Sequence, residues 1–332
     1  MENYKITGRA GEGAHGFVFK GEDLRNDEVV ALKKIAVNPD SEIPNNVLRE
    51  ILTLRVLKYT HIVKLLEVFA IGSSVVLAME YLPWSLYEVI KNKNHSLNLA
   101  QIKTYCKMIL KGVNYMHSHH IMHRDLKPSN LLIGTKGILK IGDFGLARIY
   151  DHEKKRLYSH QVATRWYRSP ELLYGSKTYN KSVDMWSVGC ILAEMIQRKP
   201  LFPGETDIEQ LAIVLGTLGT PSCENWPGLT LLPDYNKISF SHSEPKKWSI
   251  ILPDADCVTL NLIGKILIYD QNKRYTAKEA LQDRFFRERP FPCRISQLPK
   301  LEESAEPPWN FGEFDEFFDG MTVESKGDVT VK

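Results

Sequence analysis

Over the first 80 or so residues, apolar and polar positions alternate with a period of two, and β-branched and aromatic residues are enriched. Gly16-Phe17-Val18-Phe19-Lys20 and Glu28-Val29-Val30-Ala31-Leu32-Lys33 show the pattern most clearly. It predicts short antiparallel strands, one face buried and one wet. A single helical stretch interrupts them after Pro44, from Asn45 to about Leu57, with the proline close to the start, where a missing N–H is tolerated. Val75–Glu80 predicts a fifth strand. Beyond about Leu86 the period changes. Ile102, Tyr105, Ile109, Val113 and Met116 recur every three or four residues, one face of a helix. Residues 184–197 are apolar nearly all round, as a buried central helix would be. The expectation is an α+β chain: a β-rich lobe over about 1–80 with one helix, a hinge at 80–85, a helical lobe over 86–289, and a tail over 290–332.

Composition narrows the class. With 332 residues, 43% hydrophobic and 25% charged, the chain has an ordinary globular make-up. It contains no apolar run near the roughly 20 residues a membrane span needs. Met1-Glu2-Asn3-Tyr4-Lys5 lacks a signal peptide's apolar core, and no lipid-anchor motif is present, so no membrane attachment is expected. Cys106, Cys190, Cys223, Cys257 and Cys293 are scattered without a C-x-x-C pair. They read as reduced thiols of a cytoplasmic or nuclear protein. The net charge of +3 hides an asymmetry, because residues 300–332 carry nine carboxylates against three lysines and so leave +9 on the remainder. A basic body attracts anions. With no Lys/Arg cluster interleaved with aromatics, nucleic acid is not the expected partner.

The chemistry is concentrated in a few short runs. His123-Arg124-Asp125-Leu126-Lys127-Pro128-Ser129-Asn130 precedes Asp143-Phe144-Gly145 by thirteen residues, counted from Asn130 to Asp143. Phosphoryl transfer needs a γ-phosphate held in line with a hydroxyl and its charge neutralised, with little covalent chemistry from the protein. Asp125 supplies an acceptor that orients the hydroxyl, and Lys127 a cation for the γ-phosphate. Asn130 and Asp143 are oxygen ligands for magnesium. Upstream, Ala10-Gly11-Glu12-Gly13-Ala14-His15-Gly16-Phe17-Val18 holds a G-x-G-x-x-G-x-V spacing, in which absent side chains let backbone close over a triphosphate. Glycines of this kind also occur in plain hairpin turns. No helix follows this one, which argues against a dinucleotide site. Lys33 lies two strands further on. An alternating strand ordinarily points such a lysine at solvent, but Glu50, in the lobe's only helix, would pair with it and aim it at the α- and β-phosphates. Any one of these motifs is weak evidence. Their order and spacing together are not.

From about Tyr4 to Arg289 the chain resembles eukaryotic protein kinases, and a bilobal kinase fold with ATP and Mg2+ in the cleft is what the resemblance implies. Arg124-Asp125 with Lys127-Pro128 resembles the serine/threonine kinases. Val162-Ala163-Thr164-Arg165-Trp166-Tyr167-Arg168-Ser169-Pro170-Glu171 is similar to the substrate-docking segment of the cyclin-dependent and MAP kinase group, with Ser169 in place of the usual Ala. Glu171 with Arg274 resembles that fold's buried ion pair, and Leu218-Gly219-Thr220-Pro221 to Leu232-Pro233-Asp234-Tyr235 resembles the group's insert. Tyr158–Thr164 and residues 232–240 resemble its divergent, cell cycle-related branch. Met79 resembles the gatekeeper, with Glu80 and Leu82 offering backbone to adenine and Ala31 and Leu132 sandwiching the ring. Leu54, Leu65, His123 and Phe144 resemble a hydrophobic column anchored by Asp184, which makes His123 structural.

Regulation follows from the same resemblance. Arg49, Arg124 and Arg148 resemble a pocket for a phosphorylated activation-segment residue, with Ser159 in the matching position and Tyr158 or Thr164 less favoured. Thr164 is the expected hydrogen-bond partner of Asp125 and Lys127. Arg168 resembles the feature associated with proline after the phosphoacceptor. Ala14 and His15 stand where the group usually carries an inhibitory Thr and Tyr. Ile43-Pro44-Asn45-Asn46-Val47-Leu48-Arg49-Glu50 departs from the usual cyclin-binding signature, so a cyclin, another activator and phosphorylation alone all stay open. Protein substrates, among them other kinases' activation segments, a monomeric catalytic subunit, and a cell-cycle or ciliary setting are implied by resemblance only. The rival classes are a catalytically dead nucleotide-binding scaffold, against which Lys33, Glu50, Asp125, Asn130 and Asp143 all argue, and a small-molecule kinase, against which the long activation segment argues. Two readings of the tail stand: a solvated acidic segment, or Phe residues around Phe311–Phe318 docked in a groove.

Overall fold

The computed structural model describes residues 3–13, 16–37, 43–150, 157–301, 321–324 and 328–331. Five antiparallel strands build the small lobe: β1 (Tyr4–Gly13), β2 (Gly16–Asp23), β3 (Glu28–Ala36), β4 (Leu65–Ile71) and β5 (Ser74–Glu80). Helix α1 (Asn45–Val56) lies between β3 and β4 in the chain and packs on one face of the sheet. The period of two in β3 and β5 decides which face. Val30, Leu32, Val76 and Ala78 join Tyr4, Ile6 and Phe19 in one cluster, while Ile35, Val75 and Leu77 join Val47 and Ile51 of α1 in another. Lys33 therefore shares the α1 face with Ile35.

The larger lobe follows β6 (Trp84–Ser85) and α2 (Leu86–Lys91). Its long helix α3 (Leu99–Ser118) starts with a reciprocal Asn98–Gln101 capping box, which satisfies two otherwise orphan N–H groups. Strand β7 (Ile121–Met122) pairs with β10 (Arg148–Ile149), and β8 (Leu131–Ile133) pairs with β6 and β9 (Leu139–Ile141). These short strands carry the catalytic loop and the metal triplet on their connections. Next come α4 (Pro170–Leu173), α5 (Ser182–Gln197), α6 (Asp207–Leu218), α7 (Trp248–Ile251), α8 (Cys257–Ile266) and α9 (Ala277–Leu281). Helix α5 is buried from Ser182 to Met195 and forms the centre of the main core. Among the described residues no helix is long and apolar enough to cross a membrane.

The chain's end departs from a simple tail. Residues 290–301 pack on the large lobe: the Cys293 N–H donates to the Ala100 carbonyl, the Gln101 amide to the Gln297 carbonyl, and Leu298 is buried. Further on, β11 (Met321–Glu324) and β12 (Asp328–Val331) form a hairpin whose second strand pairs with β1, Lys5 against Thr330 and Ile6 against Val329. The sheet order is thus β11-β12-β1-β2-β3-β5-β4. Edge strand β1 gains a cover that removes unpaired backbone groups. Thr-Val alternation on both sides of Gly327 is the sequence signal for this hairpin. The expected docking of Phe311–Phe318, and Ala14 and His15 at the Gly-loop tip, lie outside the described residues.

Candidate active site

Strand β3 and helix α1 bring Lys33 and Glu50 together. The Lys33 ammonium donates to both Glu50 oxygens, at 2.8 and 2.7 Å, and both residues are buried. Asp143 Oδ1 stands 3.7 Å from the same nitrogen. Burial alone would lower the Lys33 pKa; Glu50 and Asp143 reverse that and hold it above its ordinary value, so the ammonium stays charged. Glu50 is on the buried face because Val47, Ile51 and Leu54 surround it at helical spacing. Arg49, next to it, turns toward the metal triplet and donates to the Gly145 carbonyl at 2.6 Å.

Asp184 of α5 holds the catalytic loop from below. Its carboxylate accepts the backbone N–H groups of His123 and Arg124 at 2.9 and 2.8 Å and is 2.8 Å from His117 Nε2. Burial pushes its pKa up, but the hydrogen bond to His117, the neighbouring His117 and His123 rings and the Arg124 N–H outweigh it and leave it below the usual value. Arg124 takes a left-handed backbone with φ of 70°, fixed by that pair of bonds. The His123 ring lies against Phe144, centroids 4.8 Å apart, and its Nε2 is 2.9 Å from the Gly142 carbonyl. His123 and Phe144 are fully buried and Leu54 nearly so, with Leu65 packed against the same core.

Asp125 is the hub of the loop. Its Oδ1 accepts the Thr164 backbone N–H at 2.8 Å and the Thr164 hydroxyl at 3.0 Å, and its Oδ2 is 3.0 Å from Lys127. Lys127 also donates to Thr164 Oγ1 at 2.9 Å. The Asn130 amide donates to the Asp125 carbonyl and Oδ2 at 2.8 and 3.1 Å. Both Asn130 donations go to Asp125, leaving its amide oxygen as the atom for a cation. Asp143, at φ of 56°, keeps its side chain one-third exposed. Two hard oxygen donors suit magnesium, which retains waters and phosphate oxygens in its shell. The residues present therefore fit a metal-bound triphosphate.

The remaining expected cleft residues line up on β1, β2, β3, the hinge and β8. Gly11 pairs with Val18, Glu12 with Phe17 and Gly13 with Gly16 in the first hairpin, next to Ala10. Ala31 pairs with Met79 across β3 and β5, and Val30 with Glu80. The Glu80 carboxylate is committed to structure, accepting from Lys140 and from the Lys64 N–H, both at 2.7 Å, so its contribution to a ligand would be backbone. Leu82 and Leu132 are half-buried beside this seam.

The segment before α4 shows most of what the sequence concealed. Ala163 is left-handed, φ 66°, and its carbonyl accepts from Arg168 Nη2 at 3.0 Å while Arg168 Nε donates to the Val162 carbonyl at 2.9 Å. Asp207, at the start of α6, grips Arg168 Nη1 through both oxygens (2.9 and 3.0 Å) and Arg165 Nε at 2.8 Å. Tyr167 donates to buried Glu194 of α5 at 2.6 Å. Glu171 and Arg274 form a bidentate buried pair, 2.9 and 3.2 Å. Of the expected phosphate pocket, Arg124 donates to the Leu146 carbonyl and the Tyr179 hydroxyl, each at 2.8 Å, Arg148 is half-buried, and Ser159 is exposed. Asp207, Glu194 and Tyr179 carry no local signature. Each is set by contacts at separations of 20 to 55 residues.

A cleft with this lysine–glutamate pair, an aspartate hub and an adjoining Asp-Phe-Gly triplet defines a phosphotransferase of the protein kinase type. The protein kinase domain family matches residues 4–286. The chain is 50% identical to cyclin-dependent kinase 20 of Rattus norvegicus over 301 residues, 90% of this chain and 87% of that protein. It is likewise 50% identical to cyclin-dependent kinase 20 of Danio rerio, with 90% and 88% covered. A solved CAK complex from Chaetomium thermophilum bound to ATP-gamma-S contains a chain with TM-score 0.84 and 34% identity, covering 91% of this chain and 96% of that one. A yeast RNA Pol II CTD kinase CTDK-1 complex gives TM-score 0.82 and 33% identity, over 89% and 96%. The chain belongs to the protein kinase family, among its cyclin-dependent-kinase-like serine/threonine kinases. That family uses ATP and Mg2+.

Proposed function

We propose that this kinase transfers the ATP γ-phosphate to serine or threonine followed by proline, and that phosphorylation at Ser159 raises its activity. The observation that carries the proline preference is the left-handed Ala163 with its carbonyl taken by Arg168. A residue seated after the phosphoacceptor would find that acceptor already used. Any residue but proline brings an N–H that loses water without gaining a partner, a cost of about 1–3 kcal/mol. Proline brings none.

In the transfer step, Asp125 orients the substrate hydroxyl and accepts its proton, with Thr164 fixing the carboxylate. Lys127 stabilises charge on the γ-phosphate. Lys33, held by Glu50, reaches the α- and β-phosphates, and the first hairpin (Gly11, Gly13, Gly16, Val18) covers them. Asn130 and Asp143 hold Mg2+, whose charge offsets that of the phosphates. Ala31 and Leu132 sandwich adenine, Met79 closes the back of its pocket, and Glu80 and Leu82 offer backbone. Arg49, Arg124 and Arg148 would receive a phosphate on Ser159.

An activator chain also has a candidate surface. Leu48, Leu52 and Val56 form an exposed stripe one turn apart on α1, with Ile43 nearby. An apolar stripe on the helix that positions Glu50 favours a cyclin-type or other protein partner, and the two solved structures named above are of complexes. A cell-cycle or ciliary role, acting in cytoplasm or nucleus on other kinases' activation segments, rests on resemblance.

The test is radiolabelled transfer from Mg-ATP to an arrayed Ser/Thr peptide library, beside an Asp143→Asn control. Transfer lost in the control and concentrated on Ser/Thr-Pro peptides is expected. Transfer without proline preference would refute the role given to Ala163 and Arg168, and Ser159→Ala protein that an activating kinase stimulates as well as wild type would refute the switch.

A further inference from the structure

Arg124 already has two partners, one beside the metal triplet and one in the loop before α5. Its Nε donates to the Leu146 carbonyl, next to the metal triplet, at 2.8 Å, and its Nη1 donates to the Tyr179 hydroxyl at 2.8 Å. That hydroxyl has one proton to give and gives it to the Ser159 carbonyl at 2.6 Å. Tyr179 thus bridges the arginine of the catalytic loop to the backbone of the residue proposed to be phosphorylated. The ring is fixed for this. Tyr179 is 6% exposed, packed with Met122, Tyr150, Val162, Leu172 and Val183, and 5.3 Å from the Tyr158 ring. A second backbone bond, from the Tyr158 N–H to the Lys177 carbonyl at 2.8 Å, ties the same stretch to the loop that carries Tyr179. Burial raises the hydroxyl's pKa, with Arg124 only partly offsetting it, so it remains a donor.

We infer that Tyr179 is a positioning residue that joins the activation segment to the catalytic loop through Arg124 without a phosphate. Phosphorylation of Ser159 then reinforces a link already present, and the unphosphorylated kinase keeps Tyr158 and Ser159 tied to the catalytic loop. The inference rests on the reading of Ser159 as the phosphoacceptor. A neutral hydroxyl bonded to a guanidinium is weaker than a phosphate on the same group, so the two states differ in degree.

The experiment compares full-length protein with Ser159 unmodified and with phosphoserine installed at 159, each as wild type, Tyr179→Phe and Tyr158→Phe. Amide hydrogen exchange over residues 157–162 is read first, and peptide phosphorylation second. Losing both bonds of the Tyr179 hydroxyl, the one from Arg124 and the one to the Ser159 carbonyl, should speed exchange about tenfold or more in unmodified Tyr179→Phe, and less than about twofold when phosphoserine supplies the link. Tyr158→Phe, which removes a hydroxyl that among the described residues donates to the Ile149 carbonyl at 3.3 Å, should match wild type in both states. Equal changes in both states, no change in either, or the same change from Tyr158→Phe would overturn the role of Tyr179. Wild-type peptide phosphorylation indifferent to phosphoserine would instead sink the Ser159 reading, while exchange in the unmodified form still decides about Tyr179.

Discussion

Removing the Glu171 carboxylate should be among the most damaging single changes in the large lobe. Glu171 is 1% exposed and Arg274 3%, so neither charge has water to fall back on. The pair is bidentate at 2.9 and 3.2 Å, and Arg274 also donates to the carbonyls of Ser182 (2.9 Å) and Ile268 (3.0 Å) and lies 5.2 Å from the Trp186 ring. Glu171→Ala leaves the guanidinium its carbonyl acceptors but no counter-charge. Breaking such a pair from one side costs about 3–5 kcal/mol. At roughly 2 °C per kcal/mol for a chain of this size, the thermal midpoint by circular dichroism should fall by about 6–10 °C. Glu171→Gln keeps shape and one acceptor and should lose about half as much. The cycle is completed with Glu171→Met/Arg274→Leu, which removes both charges and puts apolar atoms in their place. It should be less destabilised than Glu171→Ala alone. A midpoint drop under about 2 °C for Glu171→Ala, or a double variant worse than the single one, would refute the reasoning. Because α4 follows the Arg165–Arg168 segment directly, peptide KM should rise in the same variant.

Three further outcomes are expected. Glu50→Gln, which frees the Lys33 ammonium to lean toward Asp143, should cut kcat by about a hundredfold or more in steady-state kinetics; a loss under fivefold would contradict the pairing. Asp207→Asn should reduce the ratio of kcat/KM for Ser-Pro over Ser-Ala peptides about tenfold by loosening Arg168, with Asp207→Glu recovering part of it; an unchanged ratio would free Asp207 of that role. Asp184, held below its ordinary pKa, contributes stability that is full above its unfolded value, about 3.9, and lost as pH falls through the folded value. Asp184→Asn should therefore be less stable at neutral pH and show a flatter acid limb in urea midpoints between pH 3 and 7; parallel curves would exclude the linkage.

What the sequence alone determined is local. Strand alternation in β3 and β5, the amphipathic spacing of α1, the His123–Asn130 octet and the Asp143 triplet are contiguous, and their chemistry follows from residue type and order. The partnership of Lys33 with Glu50 was an expectation from residue order, Lys33 on a strand and Glu50 in the helix that follows it, while their burial and the contacts at 2.8 and 2.7 Å came from the structure. The tertiary structure decided what depends on separation. Asp207 reaches Arg168 across 39 residues, Tyr179 reaches Arg124 across 55, and β12 covers β1 from the opposite end of the chain. No sequence window shows these pairings: Thr-Val alternation marks a hairpin but not the strand it covers, and a lone Asp or Tyr has the same local propensity wherever the fold puts it. Their roles arise only when the fold brings groups distant along the chain within hydrogen-bond range. Burial then removes competing water and makes each bond selective.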